Sequence, residues 1–119
     1  MTNKELGAIG EELACNYLMN NGYRLLHRNW RNGRYEIDIV ALKDNELHFV
    51  EVKTRTSIYK DKEPIMAVNR EKMRHIGRAG MQYKYYYHLY YPFVIDAIGI
   101  LYHSPDDYEL KHIPAVNIP

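Results

Sequence analysis

The chain has 119 residues with 16 Lys or Arg and 15 Asp or Glu, so its net charge is +1. This length predicts a single domain spanning residues 1–119, and the near-zero charge excludes a uniformly basic protein while allowing local basic patches. One cysteine excludes an intrachain disulfide, and without a signal peptide or a long apolar run we expect a soluble, cytoplasmic protein with no membrane partner.

The first half of the chain predicts one helix and three strands. Residues 4–21 place apolar side chains on one helical stripe, and Gly22 is a suitable C-terminal stop. Strands are expected at about 23–30, 35–43 and 46–54. Asp44-Asn45 separates the last two strands, and these residue types tolerate the positive φ of a two-residue hairpin turn.

The second half predicts a loop, a helix and two more strands. Residues 55–63 are polar and aperiodic, which predicts a mobile loop, and Pro64 suits the first position of a helix that extends to about residue 88. A central strand is expected over 93–102, followed by a turn at 104–107 and a short strand over 108–113. The order helix-β-β-β-helix-β(-β) indicates a three-layer α/β fold with a mixed sheet.

The hairpin register brings three polar side chains together. If Asp44 and Asn45 form the turn, Lys43 pairs with Glu46, and counting outward places Asp38 opposite Glu51. Lys53 lies two residues beyond Glu51 and shares its face, because side chains alternate along a strand. The register also predicts that Ile37 shares the opposite face with Ile39 and Ala41.

Two facing carboxylates favour a divalent cation. Mg²⁺ or Mn²⁺ accepts oxygen ligands, which Asp38, Glu51 and the backbone carbonyl of Val52 would supply, and Lys53 would orient water or stabilise charge. This set favours phosphodiester hydrolysis. A salt bridge from Lys53 to either acid is an equally good interpretation from position alone. The six histidines lack a paired zinc spacing.

These residues resemble a known signature. Asp38 followed by Glu51-x-Lys53 is similar to the PD-(D/E)XK nuclease motif, and the wider sequence resembles the YraN-type family of endonuclease-like bacterial proteins. The matching segments are Gly7-x-x-Gly10-Glu11-x-x-Ala14-x-x-Tyr17-Leu18, Gly22-Tyr23, Arg28-Asn29-Trp30-Arg31, Glu36-Ile37-Asp38, Phe49-Val50-Glu51-Val52-Lys53-Thr54-Arg55, Ala67-Val68 and Asp96. The resemblance implies a restriction-endonuclease-like core related to Holliday junction resolvases. Tyr35 departs from it, because a glycine usually stands there.

The resemblance also implies a further glutamate from the first helix. Glu11 and Glu12 are both candidates, and Glu11 lies nearer to the apolar stripe, so it is the predicted fourth catalytic residue. Glu36 is expected to point away from Asp38 and to pair with an arginine. Asp96 is expected to accept hydrogen bonds or meet an arginine inside the sheet.

Arginines cluster where a nucleic acid would need them. Residues 70, 74 and 78 form a helical stripe in which like charges repel unless phosphates bind there. Trp30 or Tyr35 is available to stack on an unpaired base. The predicted nucleic-acid contacts are Arg28, Arg31, Arg34, Arg55, Arg70, Arg74 and Arg78.

The sequence therefore predicts a Mg²⁺- or Mn²⁺-dependent endonuclease acting on DNA, with branched or partly single-stranded DNA as candidate forms. Two alternatives stay open. One is a noncatalytic nucleic-acid-binding module on the same fold, and the other is a protein-interaction subunit whose contact surface is the tyrosine-rich segment 83–91. A homodimer is suggested by analogy alone.

Overall fold

The computed structural model describes residues 1–57, 64 and 69–116, and these ranges contain two helices and five strands. The elements are α1 (Asn3–Asn20), β1 (Arg24–Asn32), β2 (Tyr35–Lys43), β3 (Glu46–Arg55), α2 (Arg70–Tyr87), β4 (Phe93–Ser104) and β5 (Asp107–Ile113). The strands form one sheet in sequence order. Neighbouring strands are antiparallel except β3 and β4, which are parallel because the chain crosses over through α2 between them. The predicted mixed α/β fold is confirmed.

Local signals fix the ends of α1. Thr2 and Glu5 form a capping box, in which the Thr2 hydroxyl accepts from the Glu5 backbone N–H at 3.1 Å. At the other end Gly22 has a φ of 86°, and the Tyr23 N–H donates to the Leu18 carbonyl at 3.0 Å. This is a Schellman motif, and it confirms the stop predicted at Gly22.

Helix α2 begins later than the sequence predicts. Asn69 has extended backbone angles and its side chain accepts from the Lys72 N–H at 2.9 Å, so Asn69 is the N-cap and the helix starts at Arg70. The expectation that Pro64 starts this helix is wrong, because the N-cap is Asn69, which lies further along the chain. Most of the predicted 55–63 loop lies outside the described residues, and Arg55 belongs to β3.

The hairpin between β2 and β3 forms as predicted. Asp44 and Asn45 have φ values of 51° and 62°, and Lys43 pairs with Glu46. The register continues inward to Ile39 and Val50, where the regular pairing ends. The expected pair of Asp38 and Glu51 would come next, so the ladder stops immediately before the predicted site.

The sheet carries one helix on each face, which gives the three predicted layers. Ile39, Val50 and Val52 pack with α1, whereas Val40, Leu47 and Phe49 pack with α2. Ile37 belongs to the α2 cluster and not to the face of Ile39, so that assignment is wrong. Strand β2 changes face on either side of Asp38, beyond its last pairing with β3. Neither helix in the described ranges is both long enough and apolar enough to cross a membrane.

Candidate functional site

A cleft of about 670 Å³ opens at the end of the sheet between the two helices. Strand β3 forms its floor, α1 one wall, and α2 contributes Lys72. Four acids and three basic side chains line it: Glu11, Glu36, Asp38, Glu51, Lys53, Arg55 and Lys72. The structure thus brings the four predicted catalytic residues into one cavity.

Asp38 is held by the backbone of the neighbouring strand. The Val52 N–H donates to Oδ2 of Asp38 at 2.9 Å, which replaces the strand pairing that ends at Ile39. Burial raises the pKa of the Asp38 carboxyl, and the Val52 hydrogen bond only partly opposes that rise. The carboxyl group is therefore fixed in position but costly to ionise.

Glu51 is the most perturbed acid of the cleft. It is 4% exposed, and Oε1 lies 3.7 Å from Lys53 Nζ and 3.5 Å from Lys72 Nζ. Burial and, second, the charge of Asp38 raise the pKa of Glu51 to about 7 despite these two ammonium groups. The predicted salt bridge with Lys53 therefore exists, and it leaves the negative charge incompletely compensated.

Glu11 reaches the cleft from α1. Its Oε1 is buried and has no hydrogen-bond partner among the described residues. Burial, followed by the charge of Asp38, raises the pKa of Glu11. Glu12 instead accepts from Arg28 at 2.7 Å on the surface, so Glu11 is the glutamate of this pair that faces Asp38.

A glycine determines how closely α1 approaches the floor of the cleft. A Cβ atom on Gly10 would overlap the side chain of Thr54 on β3. Only glycine allows this contact, because the neighbouring atoms belong to a short, buried side chain. Gly10 thereby brings the adjacent Glu11 to the carboxylates of the sheet.

Glu36 departs from its predicted direction. It pairs with Arg31 at 3.3 Å, as expected, yet it also lines the cleft beside Asp38. The expectation that Glu36 points away from Asp38 is wrong, because side chains two residues apart on a strand point to the same side. Its charge contributes to the raised pKa of Asp38.

The predicted arginines do not form one surface around the cleft. Arg55 lines the cleft, and Arg34 lies beside it over the Tyr35 ring at 5.6 Å. Arg28 and Arg31 are engaged with glutamates, as described above. The remaining three, Arg70, Arg74 and Arg78, are exposed on α2 and line neither the cleft nor the adjoining pocket among the described residues.

The aromatic residues predicted to contact a base or a partner protein differ in their exposure. Trp30 is 8% exposed and packs against Tyr83 in the core, so its predicted availability for base stacking is wrong. Tyr35 is half-buried at the edge of the same core. In the tyrosine-rich segment, Tyr83 is buried whereas Tyr86 and Tyr90 are 65% and 90% exposed.

Two residues of the site escaped the sequence analysis. Lys72 is an exposed residue of α2 whose Nζ lies 3.5 Å from Glu51, and unlike the arginines of that helix it lines the cleft. Asn29 on β1 has a φ of 51°, and its side chain lowers the pKa of Glu11 through a hydrogen bond. The only signal for Asn29 in the sequence is its residue type, because asparagine adopts the left-handed backbone conformation seen here more readily than most residues.

Asp96 lies in a separate buried network. Its Oδ2 accepts from His48 Nδ1 at 2.9 Å and from His112 Nε2 at 2.8 Å, and its Oδ1 accepts from the Ala115 N–H at 3.0 Å. These bonds lower the pKa of Asp96 to about 2 although burial alone would raise it. The prediction that Asp96 accepts hydrogen bonds is confirmed, and its partners are histidines in place of an arginine.

The cleft has the donors that a hard divalent cation prefers. Asp38 and Glu51 offer carboxylate oxygens, and the partnerless oxygen of Glu11 gives an independent reason to place positive charge nearby. No group of three or more His, Cys, Asp or Glu side chains in the described ranges is closely enough arranged to hold an ion alone. Asp38 and Glu51 could therefore supply only part of the coordination of Mg²⁺ or Mn²⁺, and water and substrate would have to supply the rest.

The comparisons with known proteins agree on one family. The model of the uncharacterised protein family UPF0102 matches residues 10–100. The chain belongs to the UPF0102 family. A UPF0102 protein of Bacteroides thetaiotaomicron is 38% identical over 115 residues, covering 97% of this chain and 93% of that protein. A UPF0102 protein of Chlorobaculum parvum is 44% identical over 121 residues, covering 95% and 92%. The YraN-type resemblance is thus confirmed at the level of the family, and the UPF0102 match includes every cleft acid from Glu11 to Glu51.

Proposed function

We propose that this UPF0102 protein is a divalent-metal-dependent endonuclease of the PD-(D/E)XK type that hydrolyses phosphodiester bonds in DNA. The observation that carries the proposal is the meeting of Glu11, Asp38 and Glu51 in one cleft, each with a raised pKa. Because burial and mutual repulsion oppose the ionisation of these three acids, a bound cation would favour their charged forms. Candidate substrates include branched or partly single-stranded DNA.

The residues divide the work of hydrolysis between them. Asp38 and Glu51, with the Val52 carbonyl, would hold Mg²⁺ or Mn²⁺, and Glu11 would bind a coordinated water. The ion, when bound, supplies Lewis acidity and lowers the pKa of bound water. Water would attack phosphorus and give up one proton to solvent as the bond to the leaving sugar oxygen breaks, and that oxygen would take up a proton from solvent.

The two lysines at Glu51 have different directions of approach. Lys53 comes from the floor of the cleft, with Nζ 3.7 Å from Glu51 Oε1, and would orient the attacking water or balance charge on the phosphate. Lys72 comes from α2, and a bound ion at Glu51 would free its ammonium group for a phosphate oxygen. Arg55, at the exposed end of β3, adds a further cation beside the same phosphate.

The decisive experiment compares purified wild type with Asp38→Asn on single-stranded, duplex, flap and four-way-junction DNA. Asp38→Asn keeps the oxygen that accepts from Val52 and removes the charge, so cleavage in Mg²⁺ or Mn²⁺ should be lost while the melting curve is retained. Asp44→Asn is the matched control, because Asp44 is exposed in the hairpin turn and asparagine tolerates its positive φ. Equal cleavage by wild type and Asp38→Asn would reject the proposal.

A second candidate is a nucleic-acid-binding module without turnover. It is favoured by the two ammonium groups at Glu51, which already supply part of the charge that a metal would bring. DNA binding that weakens steeply with salt, together with no cleavage of any substrate and no Mn²⁺ binding, would support this candidate.

A further inference from the structure

A second pocket of about 380 Å³ adjoins the cleft between β2 and the start of α2. Glu36 and Lys72 line both cavities, so they form the boundary between them. The far walls carry Arg34, Tyr35, His75 and Ile76. This volume is within the range of about 300–1,000 Å³ that is usual for small-molecule sites.

The composition of the pocket suits a nucleotide. The Tyr35 ring packs against the α2-side core, and the Arg34 guanidinium lies over the ring, 5.6 Å from its centroid. A base that enters the pocket therefore stacks on the outer face of the guanidinium, or on Tyr35 after displacing it, and either arrangement accepts a base of any sequence. Arg34 and Lys72 provide positive charge for a phosphate. Of the two acids, Glu36 is already paired with Arg31, and Glu71 lies at the N-terminal end of α2.

Base pairing decides which nucleic acid can use this pocket. In a duplex both faces of a base are covered by its neighbours, so a base must be unpaired before it can stack on a protein ring. Because Glu36 and Lys72 line both cavities, the nucleotide next to a phosphate in the cleft is within reach of the pocket.

We propose that Arg34, Tyr35 and His75 form a binding pocket for one unpaired nucleotide that flanks the phosphate in the cleft. This inference rests on the proposed function for the identity of that phosphate. It assigns a role to Tyr35, and it names DNA with an unpaired nucleotide at the cut as the substrate class.

The test measures binding without cleavage. Fluorescence anisotropy in EDTA compares a short oligothymidylate with an abasic oligonucleotide of the same length, which carries the same phosphates and no bases. Wild type should bind the thymidylate about 5- to 150-fold more tightly, the range expected for one stacked base. Tyr35→Leu should abolish this ratio while Tyr35→Phe keeps it, since leucine retains apolar packing without a ring.

Two controls separate stacking from general effects. Tyr108→Leu removes a partly exposed tyrosine on β5, at the other edge of the sheet, and should leave the ratio unchanged. Arg34→Gln should lower thymidylate binding more than Arg24→Gln, because Arg24 pairs opposite Leu42 at the other end of β1. Melting curves exclude variants that fail to fold. If Tyr35→Leu does not fold, the thymidylate-to-abasic ratio of Arg34→Gln, in the exposed turn before β2, decides the question, because an unchanged ratio there would overturn the pocket.

The outcomes distinguish this inference from the proposed function. An unchanged ratio in Tyr35→Leu, or no base-dependent binding by wild type, overturns the pocket even if Mn²⁺-dependent cleavage is found. Base-dependent binding that requires Tyr35 supports the pocket even if no substrate is cleaved.

Discussion

The Val52 backbone N–H donates a hydrogen bond of 2.9 Å to Oδ2 of Asp38. The bond forms where regular pairing of β2 with β3 has ended, so a side chain takes over the role of a backbone carbonyl. Val52 lies between Glu51 and Lys53, and this one contact therefore sets the position of Asp38 relative to both. Asp38 thus has a structural as well as a proposed catalytic role.

Replacing Asp38 should separate these two roles. Asp38→Asn keeps an acceptor for the Val52 N–H and removes the charge repulsion with Glu51. Asp38→Ala leaves the Val52 N–H without that acceptor. We expect Asp38→Ala to be less stable than Asp38→Asn by about 1–3 kcal/mol in denaturant unfolding of the metal-free protein. Identical stabilities would mean that the Val52 bond contributes nothing.

The raised pKa of Glu51 predicts a pH-dependent stability. A pKa of about 7 in the folded state, against 4.5 for the ordinary group, means that the contribution of Glu51 to stability is fully present below about pH 4.5 and is lost as pH rises through 7. In metal-free buffer at pH 8, Glu51→Gln should be more stable than wild type by roughly 2–3 kcal/mol, and the difference should vanish near pH 4.5.

Metal should remove this difference. If Glu51 is a ligand of Mg²⁺ or Mn²⁺, the ion stabilises the folded wild type by mass action, and at pH 8 it should raise the melting temperature of wild type much more than that of Glu51→Gln. A melting temperature that is equally insensitive to Mn²⁺ in both proteins would argue against Glu51 as a ligand.

The contact of Gly10 with Thr54 predicts opposite effects of two glycine substitutions on one helix. Gly10→Ala overpacks the interface of α1 with β3 and should destabilise the protein by about 1–3 kcal/mol. Gly7→Ala meets no atom within 4 Å and should stabilise it by roughly 0.5–1 kcal/mol through helix propensity. Urea unfolding of both variants measures the contrast, and a Gly10→Ala protein as stable as Gly7→Ala would contradict the close approach.

Most of the fold follows from local signals in the sequence. The Asp44-Asn45 turn fixed the hairpin register, and that register led to Asp38 and Glu51, because every side chain of a strand depends on its pairing. The start of α2 was missed since Asn69 and Pro64 are both good starting residues, and choosing between them requires knowledge of the preceding backbone.

The parts of the site that were missed depend on tertiary contacts. Lys72 is 21 residues from Glu51 in sequence, and their contact requires α2 to lie across the end of β3. The Ile37 error arose from extending regular strand geometry to a segment where β2 has left β3. The Glu36 error had the opposite cause, because side chains two residues apart on a strand share a side. Likewise, His48 and His112 meet at Asp96 from two strands, so their sequence spacing carried no signal.

The network around Asp96 predicts a loss of stability in acid. Its pKa of about 2, below the ordinary 3.8, stabilises the folded state above about pH 4, and this contribution of roughly 2 kcal/mol disappears as pH falls from 4 towards 2. Asp96→Asn should therefore be destabilised by about 3 kcal/mol at pH 7, and less so near pH 2. Asp106→Asn, in the exposed turn before β5, is the control and should show neither effect. A pH-independent defect in Asp96→Asn would contradict the ionised network.

The two adjacent glutamates of α1 offer a matched test of the metal site. Glu11→Gln removes the negative charge of the carboxyl group whose Oε1 has no hydrogen-bond partner in the described ranges. The substitution should weaken Mn²⁺ binding by about 10- to 100-fold in calorimetric titration, which is the usual effect of losing a group that supports a metal site. Glu12→Gln breaks only the exposed pair with Arg28, so its Mn²⁺ affinity should equal that of wild type and its stability should change by less than about 1 kcal/mol. Because the two substitutions change the same charge on neighbouring residues, a difference between them reports the direction in which the side chain points. Equal Mn²⁺ affinities in Glu11→Gln and Glu12→Gln would show that Glu11 lies outside the coordination of the ion.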